Sequence, residues 1–288
     1  MNCDKKLFMN TPSTSERIAP EIGLIIIGDE ILSGKRTDKH LPKFIELLNE
    51  RGLQLAWAEY VGDSPERITE VLRRAFASGH VVFSCGGIGA TPDDHTRQCA
   101  AKALGLELVL QPQAKALILE RMRDVALEQG LPYEPDREDN LHRLNMGTFP
   151  KGAEIIHNPY NKIPGFTCQG QGNGCVHFVP GFPVMAWPMM QDKLDAYCQT
   201  WGVAPKRIEM SVIVFGAMEA TLTPLMEAIE KEHQGVKVFS LPSVDHPQWG
   251  KHIELGVKGT PISAQTAFEA LKEGLKHFNT ELGPEMVR

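Results

Sequence analysis

The chain has 288 residues, enough for one medium domain followed by a smaller one, since domains usually span about 100–200 residues. Hydrophobic residues make up 42% and charged residues 23% of the sequence, which excludes a largely disordered chain. The formal net charge of −6 argues against a nucleic-acid-binding protein, because affinity for a phosphate backbone depends on clustered Lys and Arg.

Residues 1–20 are predicted to be a flexible lead-in. They lack the apolar core of a signal peptide, and no later apolar run approaches the roughly 20 residues that a membrane-spanning helix needs. The six cysteines include no CxxC pair, and the histidines show no zinc-ligand spacing. We therefore expect a cytoplasmic protein with reduced thiols and without a structural zinc site.

Residues 22–104 alternate predicted strands with predicted helices. The run at residues 22–27 is aliphatic on both alternations, which is typical of a central parallel strand covered on both faces. The predicted strands are residues 22–27, 53–61 and 81–83, and the predicted helices are residues 38–51, 65–78 and 94–104. Asp38 and Ser64 are the predicted caps of the first two helices. Three strand-helix alternations predict a right-handed, mostly parallel, doubly wound α/β sheet.

Residues 106–200 continue this domain with shorter elements. We predict a further strand at residues 106–110 and helices at residues 113–129, 137–145 and 183–200. The short β segments at residues 154–157, 165–168 and 175–179 are separated by Gly, Pro and Asn, which is typical of hairpins at a sheet edge. We interpret them as hairpins around a ligand rim.

A domain boundary is predicted at residues 202–205, which gives a first domain at residues 21–202 and a second at residues 203–288. The second domain reads as a βαββα pattern, typical of a small α+β unit. Its predicted elements are strands at residues 206–215, 236–241 and 252–257 and helices at residues 221–232 and 263–278.

A glycine-rich turn, Gly86-Gly87-Ile88-Gly89, follows the strand at residues 81–83 and precedes a helix. Glycines let backbone N–H groups approach a phosphate closely, and the following helix directs its positive end to the same place. Ligands of doubly wound sheets bind outside the carboxyl ends of the strands, where this turn lies. The sequence thus predicts a phosphate cradle, with a purely structural turn as the alternative.

Acidic residues follow the same strands, in the segments Gly28-Asp29-Glu30, Gly62-Asp63-Ser64 and Thr91-Pro92-Asp93-Asp94. Because the fold brings strand ends together, these carboxylates are expected to converge on the phosphate cradle. Such a site requires a divalent cation, usually Mg²⁺, to neutralise both partners. We predict Asp63 and Asp94 as its ligands and as the catalytic acids. The alternative is that each aspartate only caps a helix.

Other residues near these strand ends extend the predicted site. Thr96 and Arg97 could reach phosphate oxygens, although Arg97 could equally be solvated, and Lys35 could meet a phosphate or remain a surface residue. Cys85 is expected to be a small buried residue rather than a nucleophile. The predicted ligand-binding residues are Gly28, Asp29, Ser33, Gly86, Gly87, Gly89, Thr91, Thr96, Pro180 and Gly181.

Six segments together resemble the N-terminal domain of CinA-type competence/damage-inducible proteins, within the wider MoaB/Mog molybdopterin-binding group. The resemblance covers about residues 22–200, and the second domain looks like the small domain that follows in the CinA type. The matching segments are Gly28-Asp29-Glu30-Ile31-Leu32-Ser33-Gly34, Val61-Gly62-Asp63, residues 86–97, Asn158-Pro159, Pro164-Gly165-Phe166 and Val179-Pro180-Gly181-Phe182-Pro183.

The resemblance implies a three-layer α/β fold whose site holds a pterin pyrophosphate or a nucleotide-like phosphate with Mg²⁺. It implies functional acids at the positions of Asp94 and Asp63, and an activity that cleaves ADP-ribose-like pyrophosphates. Family members often form dimers or trimers, so we expect a homo-oligomer. We do not expect the nicotinamide mononucleotide deamidase of longer members, because the chain ends at Arg288 without room for it.

Three loops depart from the family pattern, at Asp38-Lys39-His40, at residues 158–165 and at residues 180–186. The leading hypothesis is Mg²⁺-dependent hydrolysis of the phosphoanhydride of a nucleotide or pterin ligand. The altered loops motivate a second, a binding module that keeps the cradle without catalysis and carries a molybdopterin-type ligand. A third is molybdopterin adenylyl transfer.

Overall fold

The computed structural model describes residues 21–201 and 207–288. The chain divides into two compact units, Met1–Gly202 and Val203–Arg288. No helix within the described ranges is both long and apolar enough to cross a membrane.

The first unit alternates strands and helices in chain order. Its strands are β1 (Ile22–Ile27), β2 (Leu55–Val61), β3 (Val81–Cys85), β4 (Leu108–Leu110), β5 (Thr148–Pro150), β6 (Glu154–Ile156), β7 (Gly165–Gln169) and β8 (Cys175–Val179). Its helices are α1 (Asp29–Leu32), α2 (His40–Glu50), α3 (Pro65–Ala77), α4 (Thr96–Leu104), α5 (Pro112–Gln129), α6 (Glu138–Arg143) and α7 (Pro183–Trp201), with a 3₁₀ turn at Leu144–Gly147.

The main sheet has six strands in the order β2-β1-β3-β8-β7-β6. The pairs β1–β2, β1–β3 and β3–β8 are parallel, whereas β7 runs antiparallel to both β8 and β6. This confirms the predicted α/β fold with a mostly parallel sheet. Because the four parallel strands end at the same edge, the loops that follow them come together there.

Helices cover both faces of this sheet and make three layers. On one face, Leu24 and Ile26 of β1 pack with residues of α2 and α7. On the other, Ile25 and Ile27 pack with residues of α3 and α4. Every residue of β1 is buried, which explains its continuous aliphatic sequence.

Two helix starts follow from their capping residues. The carboxylate of Asp38 accepts hydrogen bonds from the N–H groups of His40 and Leu41 at 2.8 and 3.1 Å, at the start of α2. The hydroxyl oxygen of Ser64 accepts from the N–H of Arg67 at 3.4 Å, at the start of α3. Ser64 is the N-cap of α3, as predicted. The N-cap position of α2 is Lys39, and Asp38 binds the first two N–H groups of α2 from one residue earlier.

Two strand predictions needed correction. The segment at residues 175–179 is not an edge hairpin: β8 lies inside the sheet, parallel to β3, and all five of its residues are buried. The flanking glycines suggested a turn-rich edge, whereas pairing with β3 on one side and β7 on the other places β8 within the sheet. The strand at residues 106–110 forms as β4, but it pairs with β5 in a separate two-stranded sheet.

The second unit is a four-stranded antiparallel sheet in the order β10-β11-β9-β12, with two helices packed on one face. Its elements are β9 (Ile208–Phe215), α8 (Glu219–Glu232), β10 (Lys237–His246), β11 (Gly250–Gly259), α9 (Pro261–Leu275) and β12 (Glu281–Val287). The predicted βαββα pattern thus lacked its last strand. β12 contains Gly283 and Pro284 and pairs at the sheet edge with an irregular register, where Pro is tolerated.

Candidate functional site

A cleft of about 380 Å³ lies beyond the ends of the parallel strands of the main sheet. The segments that follow β1, β2, β3 and β8 supply most of its walls. One part of the wall is acidic and comprises Glu30, Asp63, Asp93 and Asp94. Another part is apolar and includes Ile88, Met146, Ile163, Phe182 and Met185.

The glycine turn, residues 86–89, has a conformation that other residues adopt only with strain. Gly86 has a φ of +103° and Gly87 a φ of +67°. A Cβ at Gly86 would collide with the carbonyl oxygen of Ile27, and one at Gly87 would collide with the hydroxyl of Thr96. Both glycines are therefore required by the backbone path of the turn and by its close contact with neighbouring elements.

The backbone N–H groups of the turn are not equivalent. The N–H of Gly86 donates to the carbonyl of Val179 at 3.1 Å, so it anchors the turn to β8 and is already engaged, contrary to the phosphate contact that the sequence suggested. The N–H groups of Gly87, Ile88 and Gly89 donate to no protein acceptor in the described parts of the chain. Gly87, Ile88 and Gly89 all line the cleft, where three consecutive N–H donors could hold an anion.

Thr96 and Arg97 support the turn from behind. The Thr96 hydroxyl donates to the carbonyl of Gly86 at 3.1 Å, and its side chain is fully buried. The guanidinium of Arg97, also buried, donates to the carbonyls of Ile88 and, at 2.7 Å, of Gly89. Burial lowers the pKa of Arg97, and the nearby charge of Asp94 counteracts this shift. Neither side chain lines the cleft, so Arg97 is neither solvated nor a phosphate contact.

Asp94 stabilises the end of the glycine-rich segment and does not cap a helix. Its Oδ2 accepts hydrogen bonds from the hydroxyl of Thr91 and, at 2.8 Å, from the N–H of Thr91. Helix α4 begins two residues later, and His95 at its N-cap position makes no side-chain capping bond. The capping alternative for Asp94 was therefore wrong. Its Oδ1 has no hydrogen-bond partner among residues 21–201 and 207–288.

Asp29 and Asp63 bind each other's backbone. Oδ2 of Asp63 accepts from the N–H of Asp29 at 2.9 Å, and Oδ1 of Asp29 accepts from the N–H of Asp63 at 3.1 Å. Ser64, and not Asp63, caps α3, the helix that follows it. Asp63 instead accepts from the N–H of Asp29, the first residue of α1, so its capping role is at a different helix. Gly62 makes this approach possible, since a Cβ there would collide with Oδ1 of Asp29. The reciprocal pair joins the segments that follow β1 and β2.

Several carboxylates are close enough to influence one another. Burial raises the pKa of Asp63, the hydrogen bond from the Asp29 N–H opposes this shift, and the charges of Asp29, Glu30 and Asp93 raise the pKa further. A cation at this wall would relieve the repulsion. No group of three or more His, Cys, Asp or Glu placed to hold a metal ion occurs in the described residues.

Buried polar contacts shape the rim of the cleft. His40 Nε2 donates to the carbonyl of Gly181 at 3.0 Å and so fixes the loop after β8. The amide of Asn158, fully buried, donates to Asn161 Oδ1 at 2.8 Å and to the Ile163 carbonyl at 3.0 Å. Both loops therefore have defined shapes. Phe182 is 57% exposed and lines the cleft, where it could stack against a planar ring.

Most of the predicted residues lie around this one cleft. Those that line it are Gly28, Asp63, Gly86, Gly87, Gly89, Thr91, Asp94, Pro180 and Gly181. Three predicted residues do not line it, namely Asp29, Ser33 and Thr96. Asp29 orients Asp63, and Thr96 supports the glycine turn. Ser33 is exposed and ends helix α1. Lys35 is exposed and does not line the cleft either.

The sequence did not single out several of the lining residues. Arg36 contributes a positive charge to the cleft wall. The only indication of it in the sequence was its position in the loop after β1, next to Lys35. Phe182 lay in a recognised turn, but only its exposure identifies it as a ring-binding candidate. Met146 belongs to a 3₁₀ turn far along the chain, and nothing local in the sequence indicated it.

Comparison with known proteins gives a consistent family. The family described as "Probable molybdopterin binding domain" matches residues 23–198. A protein of Aeropyrum pernix is 30% identical over 258 residues, which cover 89% of this chain and 90% of that protein. A CinA-like protein of Koribacter versatilis is 32% identical over 210 residues, which cover 70% of this chain and 48% of the relative.

A solved structure supports the same grouping. The structure of "the protein CinA with unknown function" from Thermoplasma acidophilum is 28% identical, with a TM-score of 0.50. The match covers 64% of this chain and 98% of that structure.

Proposed function

The chain belongs to the family of probable molybdopterin-binding domains, in its CinA type, and we propose that its cleft binds a phosphorylated nucleotide or pterin. The observation that carries the proposal is the set of three consecutive N–H donors, at Gly87, Ile88 and Gly89, which have no protein acceptor in the described ranges. They lie in one cleft with the exposed ring of Phe182. A phosphate at the donors and a planar ring at Phe182 would use both features.

The carboxylate wall fits a Mg²⁺ ion in this site. Mg²⁺ is usually bound by one or two carboxylates together with substrate phosphates and water, so a protein cluster of three acids is not needed. Asp63 and Asp94 are the residues that would hold it, since each has one oxygen tied to a backbone N–H and a second oxygen without a bond in the described residues. When bound, the ion would neutralise charge on the phosphate.

We propose hydrolysis of the phosphoanhydride of an ADP-ribose-like substrate as the reaction. The oxygen of a water molecule forms a bond to one phosphorus, the bridging P–O bond breaks, and the products are AMP, ribose 5-phosphate and released protons. Asp94 orients the attacking water through its Oδ1, and the turn amides stabilise the charge on the phosphate oxygens.

The test is release of AMP from ADP-ribose by the full chain with Mg²⁺, measured by chromatography. Asp94→Asn should reduce turnover by at least about a hundredfold, the scale typical of an acid that acts on the reacting group. Asp192→Asn, a matched change at an exposed acid of α7, should leave turnover unchanged. Undiminished turnover in Asp94→Asn would remove the role assigned to Asp94.

A second candidate is a binding module without catalysis. It is favoured by the part that both acids take in holding the backbone, since each accepts a hydrogen bond from a backbone N–H. Thermal unfolding with ADP-ribose, AMP and a pterin separates the candidates. Stabilisation by a ligand without any AMP release favours the binding module, and no response to any phosphate compound refutes both.

A further inference from the structure

A second pocket of about 370 Å³ adjoins the cleft. The two share Ile27, Glu30, Arg36 and Gly181 as common wall residues. Beyond this shared wall, the second pocket extends along the start of α2, where Thr37, Lys39 and His40 line it. A ligand that fills the cleft could therefore continue into the second pocket past Arg36.

The two cavities differ in charge. The cleft has four carboxylates in its wall, Glu30, Asp63, Asp93 and Asp94, and one cationic residue, Arg36. The second pocket has Arg36, Lys39 and the imidazole of His40, and its single carboxylate is the shared Glu30. Among the described residues, neither Arg36 nor Lys39 forms an ion pair. The second pocket is thus suited to an anion without a metal ion.

His40 fixes the wall between the cavities. Its Nε2 must carry a proton, because the carbonyl oxygen of Gly181 at 3.0 Å can only accept. His40 is 5% exposed, and its Nδ1 is buried without a hydrogen-bond partner in the described parts of the chain. His40 therefore ties the start of α2, which lines the second pocket, to the loop after β8.

We propose that the second pocket binds a further anionic group of the ligand whose phosphate lies at the glycine turn. This inference rests on the proposed function, and it narrows the ligand to small molecules that carry at least two anionic groups, such as nucleoside diphosphates. The acidic wall of the cleft takes one phosphate with a cation, and Arg36 and Lys39 take the other group directly.

The test compares AMP and ADP as probes by calorimetric titration of the full chain with Mg²⁺. Wild type should bind ADP more tightly than AMP. Lys39→Glu should weaken ADP binding by about tenfold, equivalent to about 1.4 kcal/mol, and AMP binding by less than about twofold. The matched control is Lys35→Glu, an equal charge reversal at an exposed lysine that lines neither cavity, and it should weaken both probes by less than about twofold.

Two outcomes separate this inference from the proposed function. In the first outcome, Gly87→Ala abolishes binding of both probes, which supports the phosphate site. If Lys39→Glu then weakens ADP binding no more than AMP binding, or no more than Lys35→Glu weakens it, the role of the second pocket is refuted. If wild type binds neither probe, the nucleotide form of the proposed function is refuted, and the inference with it. Lys39 is exposed, so its variant tests charge without disturbing a core.

Discussion

Replacing Gly87 by alanine should destabilise the first unit more than the same change at Gly105. The two glycines have almost the same backbone conformation, with φ of +67° and +68°. They differ in their surroundings: a Cβ at Gly87 would collide with the hydroxyl of Thr96, whereas nothing lies within 4 Å of a Cβ at Gly105. Gly105→Ala therefore measures the backbone strain, and the difference between the variants measures the steric conflict.

The magnitude follows from these two contributions. An alanine in the left-handed region costs about 1–2 kcal/mol, and this applies to both variants. Overpacking of a buried contact adds about 1–3 kcal/mol, and only Gly87→Ala carries it. The hydroxyl of Thr96 cannot move away cheaply, because it is fully buried and donates to the Gly86 carbonyl at 3.1 Å. We expect Gly87→Ala to be about 1–3 kcal/mol less stable than Gly105→Ala.

Urea denaturation of both variants, followed by circular dichroism, measures this difference. A double-mutant cycle with Thr96→Ala then identifies its cause, because removal of the hydroxyl should make Gly87→Ala less costly than in wild type. Equal losses of stability in Gly87→Ala and Gly105→Ala would refute the steric argument. So would a cost of Gly87→Ala that stays the same in the Thr96→Ala background.

Three other changes probe buried polar groups. Tyr197→Phe removes the hydroxyl that bonds His177 Nε2 at 2.7 Å and Cys175 Sγ at 2.9 Å. Urea denaturation should then show a free energy of unfolding that is lower by about 1–3 kcal/mol. An unchanged free energy would contradict a structural role for these hydrogen bonds. Burial lowers the pKa of His177 from 6.5 to about 3. The unfolded chain then binds a proton that the folded one does not, and stability falls as pH is lowered from about 6.5 towards 3, by at most ~1.4 kcal/mol per unit. His177→Gln should flatten this dependence of the urea midpoint, and parallel curves would contradict it. Arg97→Gln removes the guanidinium that bonds the carbonyls of Ile88 and Gly89. The variant should have a lower melting temperature and a weaker affinity for AMP. An AMP affinity equal to that of wild type would show that the glycine turn keeps its shape without the guanidinium.

The first half of the fold was accessible from sequence because its signals are local. Buried β1 is an unbroken aliphatic run, and Asp38 and Ser64 mark the starts of their helices. The position of β8 was not accessible in this way. A five-residue apolar strand has the same local pattern at an edge or in the middle of a sheet, and only its pairing with β3 and β7 distinguishes them. β12 was missed because Pro284 is a negative signal for a strand.

The candidate site shows the same division between local and tertiary information. The glycine turn and the acids after the strands were recognisable, since backbone conformation and strand ends leave sequence signals. The partners of polar groups were not. The bond of the Gly86 N–H to Val179 depends on a contact between distant segments. The bonds of Arg97 to the carbonyls of Ile88 and Gly89 depend on how the glycine-rich segment folds back on α4. Arg36 and Met146 reach the cleft through the same tertiary arrangement.

The bonds of Asp63 and Asp94 decide which substitutions can test their chemistry. In each residue one carboxylate oxygen accepts from a backbone N–H, of Asp29 or of Thr91. An alanine at either position would remove this bond together with the charge, so a loss of activity could come from an altered loop. The carbonyl oxygen of an asparagine can still accept from the same N–H, while the negative charge is lost. An asparagine variant therefore separates the structural role of each aspartate from its proposed role toward a cation and water. The variant is suitable for this test when its melting temperature stays close to that of wild type.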